Sequence, residues 1–297
     1  MERDTLTVGI IGAGSWGQAL GRVIERAGND VRLAGRGDDP RALLDRDVLL
    51  LVVPAQETRA VLAAMAPDIP DGLPLVLCAK GVERDSGMLM PELVAEETPA
   101  AVACVLSGPN FAAEIAQGLP AAATLACADL TLAERLATRL TPPDFRLYAS
   151  DDPIGAALGG ACKNVLAIAA GAVAGAGLGA NARAALIARG LAELRRLGRA
   201  LGARDETLVG LSGLGDIVLS CTDPTSRNYR FGHALASGSD APSSLVEGVH
   251  SVSPLLQRAA LLGVEMPIVE AVNDVLHLGT PLPDAIAALL ARPGGRE

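Results

Sequence analysis

Aromatic side chains are nearly missing from this 297-residue chain, where one Trp, two Tyr and three Phe make up 2 % of the residues. A surface that stacks nucleic acid bases is therefore not expected. The core must come from Ala, Leu and Val, which favours close backbone packing. Positive charge is also short, with 25 Lys and Arg against 34 Asp and Glu and a formal net charge of -9. That balance argues against nucleic acid or an anionic membrane surface as partner, because both require a basic face. Any phosphate must be held by a few local cations. The five cysteines, Cys78, Cys104, Cys127, Cys162 and Cys221, include no C-x-x-C pair, so they suggest neither a disulfide framework nor a zinc site. They read as small buried residues of a reducing compartment. His233, His250 and His277 show no metal-binding spacing, and no metal is expected.

A clean membrane-spanning run is absent too. Leu158–Ala180 comes nearest, but Lys163, Asn164 and glycines at 171, 175, 177 and 179 interrupt it. This suits a buried helix ending in a turn rather than a membrane span. The mixed charges of Met1–Thr5 and the short apolar stretch after them do not read as an export signal, and a cytoplasmic protein is expected.

What is present is an alternation of short apolar runs with helix-like stretches in the first half. Strands are expected at Leu6–Ile11, Asp30–Ala34, Val48–Val53, Leu73–Ala79, Ala101–Leu106, Ala121–Cys127 and Phe145–Tyr148, the pattern of a mostly parallel sheet with crossover helices. Helical patterns at Trp16–Ala27, Glu57–Met65, Phe111–Gln117 and Leu132–Leu140 lie between them. The strand signal stops near Asp151-Asp152-Pro153, where acids and a proline can start a helix. Long Ala/Leu/Arg stretches follow, notably Ala182–Leu201, Ser253–Leu262 and Ile268–Leu276. Two domains are expected, 1–150 binding a dinucleotide and 151–297 all helical, with a frayed tail from Arg292.

Gly12-Ala13-Gly14-Ser15-Trp16-Gly17 follows the first strand and opens a helix. This is the phosphate-binding turn of a Rossmann-type domain: glycines allow the tight turn and close approach of a diphosphate, and the helix start supplies N–H groups. The second strand ends in Ala34-Gly35-Arg36 rather than in an acid. Arg36 there favours the 2′-phosphate of NADP(H), with NAD(H) the alternative if Arg36 only stacks on adenine or faces solvent. Lys80 and Ser107-Gly108-Pro109-Asn110 sit at further strand ends, where ligands of such sheets lie. Lys163 stands in an apolar helix with no acid near it in sequence. Such a lysine either snorkels to the surface or is tuned by burial to exchange a proton near neutral pH. Asp216 could orient that lysine or a substrate hydroxyl. Ser226-Arg227-Asn228 offers donors suited to a phosphate.

Taken together, Gly12-x-Gly-Ser-Trp-Gly17, Cys78-Ala-Lys80-Gly, Ser107-Gly-Pro109, Lys163-Asn-Val165, Gly213-Leu-Gly-Asp216 and Ser226-Arg-Asn228 resemble the NAD(P)-dependent glycerol-3-phosphate dehydrogenase family, in order and with similar spacing from the first strand to Val264–Pro267. The resemblance implies reduction of dihydroxyacetone phosphate to glycerol 3-phosphate, a product used in phospholipid synthesis. It implies Lys163 as catalytic acid/base and Lys80, Gly108, Asn110, Lys163, Asp216, Ser226, Arg227 and Asn228 around the substrate. It implies cofactor contacts at Gly12, Gly14, Ser15, Trp16, Gly17, Arg36, Lys80, Ala112, Arg227 and Glu247. Two departures stand out. Between Arg36 and Asp47 the chain is much shorter than the family pattern, lacking a helix and a strand. Asn110 replaces the small hydroxyl residue common after Gly-Pro. Competing readings are a two-domain reductase of a hydroxy or keto acid, and a nucleotide sensor without chemistry. The Ala- and Leu-rich helical half could also form a homodimer interface.

Overall fold

A computed structural model of the chain describes residues 5–240 and 245–291. The expectation of a frayed tail from Arg292 lies outside the described residues. All seven expected strands form: β1 Thr7–Ile11, β2 Asp30–Ala34, β3 Val48–Leu51, β4 Pro74–Leu77, β5 Val102–Ser107, β6 Ala121–Cys127 and β7 Phe145–Ser150. They make one sheet in the order β2-β1-β3-β4-β5-β6-β7, parallel except where β6 runs against β5. The central strands read Val-Leu-Leu-Leu and Pro-Leu-Val-Leu because both faces are covered. Val48 and Leu50 join one core with Val8 and Ile10, while Leu49 and Leu51 join the other with Leu75 and Leu77. Strand periodicity thus divides the apolar residues between two layers.

The first layer is closed by α1 Ser15–Arg26 and, beyond the two short helices α2 Thr58–Met65 and α3 Met90–Glu97 on the opposite face, by α4 Ala112–Ala116 and α5 Leu130–Leu140. α3 is not predicted by the apolar pattern. Between β2 and β3 there is only a 3-10 turn, Pro40–Leu43, so β2 is the sheet edge and the shortened segment leaves no further strand beside it.

After β7 the described chain is helical: α6 Pro153–Gly175, α7 Gly179–Ala200, α8 Asp205–Leu208, a π-helical turn Leu211–Gly215, α9 Asp216–Thr222, α10 Arg227–Ser237, α11 Glu247–Leu261, α12 Pro267–His277 and α13 Leu282–Leu290. Asp152 starts α6 as expected, its side chain accepting from the Gly155 N–H at 2.8 Å with Pro153 in the first turn. This helix is long and apolar enough to span a bilayer, but 94 % of its apolar window is buried inside the protein. It is the central core helix, continuous with the layer under α2 and α3. Close approach needs glycine at its crossing with α10. A Cβ on Gly171 would lie 2.0 Å from the Tyr229 carbonyl oxygen, and one on Gly232 would lie 1.9 Å from that of Ile168. The five cysteines are buried and unpaired.

Candidate active site

The carboxyl ends of β3 and β4, the start of α1, the loop after β5, the middle of α6 and the starts of α10 and α11 surround a cavity of about 590 Å³. Gly14, Ser15, Trp16, Gly17, Lys80, Asn110, Ala112, Lys163, Ser226, Arg227, Asn228 and Glu247 all line it. Gly12 lies beneath, where a Cβ would meet the Val52 carbonyl oxygen at 2.4 Å in a backbone of φ +115°. Gly17 is equally constrained, since its Cβ would fall 1.9 Å from the Gly12 oxygen, while Gly14 faces open space. These are the demands of a turn that lets a diphosphate approach backbone N–H groups.

At the deep end two lysines share one carboxylate. Lys80 Nζ donates to Asp216 Oδ2 at 2.5 Å and to the Gly108 carbonyl at 2.7 Å. Lys163 Nζ donates to Ser220 Oγ at 2.9 Å and lies 3.3 Å from Asp216 Oδ1. The Asp216 side chain is only 1 % exposed, behind both ammonium groups rather than on the cavity wall. An ammonium has three donors, so each lysine keeps one N–H for a ligand. Burial holds Lys163 below the ordinary lysine range and the Lys80 charge adds to the effect, while Asp216 opposes them. Burial alone would raise Asp216, but the charges of Lys163 and Lys80 outweigh it and hold the carboxyl below its usual range.

A buried amide chain supports this end. Asn164 Nδ2 donates to the Lys80 carbonyl at 2.6 Å, Asn228 Nδ2 donates to Asn164 Oδ1 at 2.8 Å, and the Gly248 N–H donates to Asn228 Oδ1 at 3.0 Å. The Asn228 oxygen and one of its two amide N–H groups are thus engaged by protein, which leaves the second N–H for the cavity. Ser226 caps α10 through Tyr229 N–H, which leaves Arg227 and Arg230 as the cations of the adjoining wall. Glu247 and Asn110 each hold a buried oxygen, Oε2 and Oδ1, that has no protein partner. Burial raises the Glu247 carboxyl above its usual range, against the pull of the Ala55 N–H, Arg227 and Lys163.

Besides Gly12 and Asp216, two more of the residues singled out from sequence stand apart from the cavity wall. Arg36 is exposed in the turn after β2, and Gly108 acts through its carbonyl behind Lys80. Ser220 and Asn164 complete the lysine network, and sequence reasoning did not place them in the site. Ser220 had a signal, being four residues after Asp216 on the same helix face. Asn164 follows Lys163 in the Lys163-Asn-Val165 motif and also lines the cavity, but its role as a bridge between Lys80 and Asn228 is visible only from its partners.

Comparison with known proteins agrees with this layout. A family model for the NAD-dependent glycerol-3-phosphate dehydrogenase N-terminus matches residues 37–133, and one for the C-terminus matches residues 152–287. A glycerol-3-phosphate dehydrogenase [NAD(P)+] from Parvibaculum lavamentivorans is 47 % identical, covering 96 % of each chain. One from Bradyrhizobium sp. (strain BTAi1) is 48 % identical, covering 97 % of each. The crystal structure of glycerol-3-phosphate dehydrogenase from Coxiella burnetii superposes with a TM-score of 0.91 at 36 % identity, covering 97 % of this chain and 99 % of that one. A ketopantoate reductase from Ralstonia eutropha reaches a TM-score of 0.60 at 17 % identity, a likeness of fold alone. With a glycine-rich turn at one end of its cavity and a paired-lysine site at the other, the chain belongs to the NAD-dependent glycerol-3-phosphate dehydrogenase family.

Proposed function

We propose that this chain is a glycerol-3-phosphate dehydrogenase that reduces dihydroxyacetone phosphate with NADPH or NADH, in the cytoplasm, providing glycerol 3-phosphate for phospholipid synthesis. The observation that carries the reading is the pair of lysines on one buried aspartate, at the end of a cavity whose other end is the glycine-rich turn. The residues suit the cofactor: the turn receives a diphosphate, and the unpartnered Oε2 of Glu247 and Oδ1 of Asn110 await a ligand. Gly12, Gly14, Ser15, Trp16, Gly17, Ala112 and Glu247 would hold it, with Arg36 at the adenosine end.

When bound, the nicotinamide supplies a hydride to the substrate carbonyl carbon. The chain's own residues manage the oxygen. Lys163 gives its free N–H proton to the oxygen as negative charge develops, and regains a proton from solvent. Lys80 holds the same oxygen electrostatically, which lowers the barrier because the donor is already fixed by Asp216 and Gly108. Arg227 takes the phosphate, and this remote contact aligns the carbonyl. Two lysines, one aspartate and Arg227 leave the pocket locally positive in an acidic chain, as an anionic substrate requires. Asp216 acts in this reading by positioning, since both its oxygens are engaged by protein, whereas Asn228 lines the cavity and keeps one amide N–H for the substrate.

We divide the chain into a cofactor domain, 1–150, and a catalytic domain, 151–297, and infer a homodimer formed through the helical half, where Val218 and Leu235 are exposed. The deciding assay follows oxidation of NADPH and of NADH with dihydroxyacetone phosphate beside non-phosphorylated 2-keto acids. Turnover confined to the phosphorylated ketone supports the reading, and turnover confined to the keto acids would replace it with a keto-acid reductase.

A further inference from the structure

The shortened segment after β2 folds back beside the glycine-rich turn, outside the cavity wall. At the close of this strand, where the ribose of a bound dinucleotide lies in such sheets, the chain folds back on itself. The Gly35 N–H donates to Asp38 Oδ2 at 2.7 Å, and the Asp38 N–H donates to the Gly35 carbonyl at 3.3 Å. Gly37 makes the reversal with φ +94°, a left-handed region that favours glycine. The carboxylate of Asp38, four residues past the end of β2, is thereby returned to the strand end.

That strand end is also joined to the glycine-rich turn. The Gly12 N–H donates to the Ala34 carbonyl at 2.8 Å. A Cβ placed on Gly35 would lie 3.5 Å from Ala13 Cβ and 3.7 Å from Asp38 Oδ2. The carboxylate and the turn that receives the diphosphate therefore share one side of Gly35. Asp38 is exposed, and among the described residues only its Oδ2 enters a hydrogen bond with protein. In dinucleotide folds an acid placed about 20 residues after the glycines accepts the ribose hydroxyl, whereas an Arg accommodates a 2′-phosphate. This chain presents both, Arg36 and Asp38, on the two sides of one glycine.

We propose that Asp38 is a cofactor-specificity residue of the adenosine end: its carboxylate accepts the ribose hydroxyls of NAD(H) and repels the 2′-phosphate of NADP(H), which Arg36 attracts. The two side chains pull in opposite directions, so their balance sets how evenly the enzyme uses the two cofactors. The proposal rests on the cofactor reading above and adds to it the residue that opposes NADP(H).

The test is direct binding of NADH and NADPH to the purified full chain and to Asp38→Asn, Asp38→Ala and Arg36→Ala. Trp16, the single tryptophan, lines the cavity and reports binding by its fluorescence. Asp38→Asn keeps an oxygen for the Gly35 N–H but removes the charge. It is expected to weaken NADH and tighten NADPH, raising the ratio Kd(NADH)/Kd(NADPH) about tenfold, the scale of one charge-assisted hydrogen bond. Arg36→Ala is expected to move the ratio the other way. An unchanged ratio in Asp38→Asn, or equal weakening of both cofactors in Asp38→Ala, would reduce Asp38 to a turn-closing residue. Failure of the unsubstituted chain to bind either cofactor would remove the cofactor reading itself and this proposal with it.

Discussion

Lys163 carries the sharpest expectations, because burial and two charged neighbours, Asp216 and Lys80, define its protonation. Lys163→Ala is expected to lose about 10²- to 10⁴-fold in turnover, the range for a positioned acid, measured by steady-state assay of a folded variant. Reduction needs the proton on Lys163, so the rate is present below its pKa and lost as pH rises through it. Burial places that loss below the ordinary lysine range. Asp216 pulls the other way by stabilising the ammonium, so Asp216→Asn should move the alkaline limb of the pH profile to lower pH; an unmoved limb would show that Asp216 does not tune the lysine. Among the described residues no hydrogen bond or ion pair ties Arg227 to the lysine network, and it is assigned to the phosphate. Its replacement by Ala should raise KM for dihydroxyacetone phosphate far more than it lowers turnover, and an unchanged KM would place the phosphate elsewhere.

The elements hold these side chains by contacts that are far apart in sequence. α10 brings Arg227 and Asn228 to α6 because Gly171 and Gly232 let the helix backbones touch. Gly232→Ala would drive a methyl against the Ile168 carbonyl oxygen, and overpacking of this kind costs about 1–3 kcal/mol. Urea unfolding should show that loss, together with weakened substrate affinity as α10 shifts; full stability would mean that the helices can separate without cost. α12 shows the same dependence on distant residues. Its first turn is capped by Glu193 of α7, which accepts from the Ile268 and Val269 N–H groups at 2.8 and 3.3 Å. The strands, by contrast, were readable one at a time, since a buried parallel strand shows as a short apolar run. α3 was not, because eight residues give too little periodicity to distinguish helix from loop.

For the molecule as a whole, the cavity lies between the sheet and the helical half, so a cofactor that contacts both should favour the folded state. At a free concentration one hundred times Kd the gain is about 2.7 kcal/mol. Thermal unfolding with saturating NADPH should therefore rise by several degrees, and no rise would mean that the dinucleotide does not bind the native chain. Sedimentation at micromolar concentration tests the homodimer, with a mass of a single chain as the contrary result.

Read alone, the amino-acid order determined the strands, the glycine-rich turn, the buried start of α6 at Asp152-Pro153 and the family to which the motifs point. Each of these is local: a steric demand, a cap or a period of a few residues. What tertiary structure decided is which groups meet. Lys80, Lys163 and Asp216 come from separate parts of the chain, and only folding makes one carboxylate serve two ammonium groups. Asn228 was read as a ligand donor, and folding also makes its amide the tie between Asn164 and Gly248. Arg36 was read as the residue that selects the cofactor, and the reversal at Gly37 turns the Asp38 carboxylate back onto the Gly35 N–H at the same strand end. Charge, burial and hydrogen-bond capacity are properties of neighbours in space, so no spacing in the sequence could have assigned them.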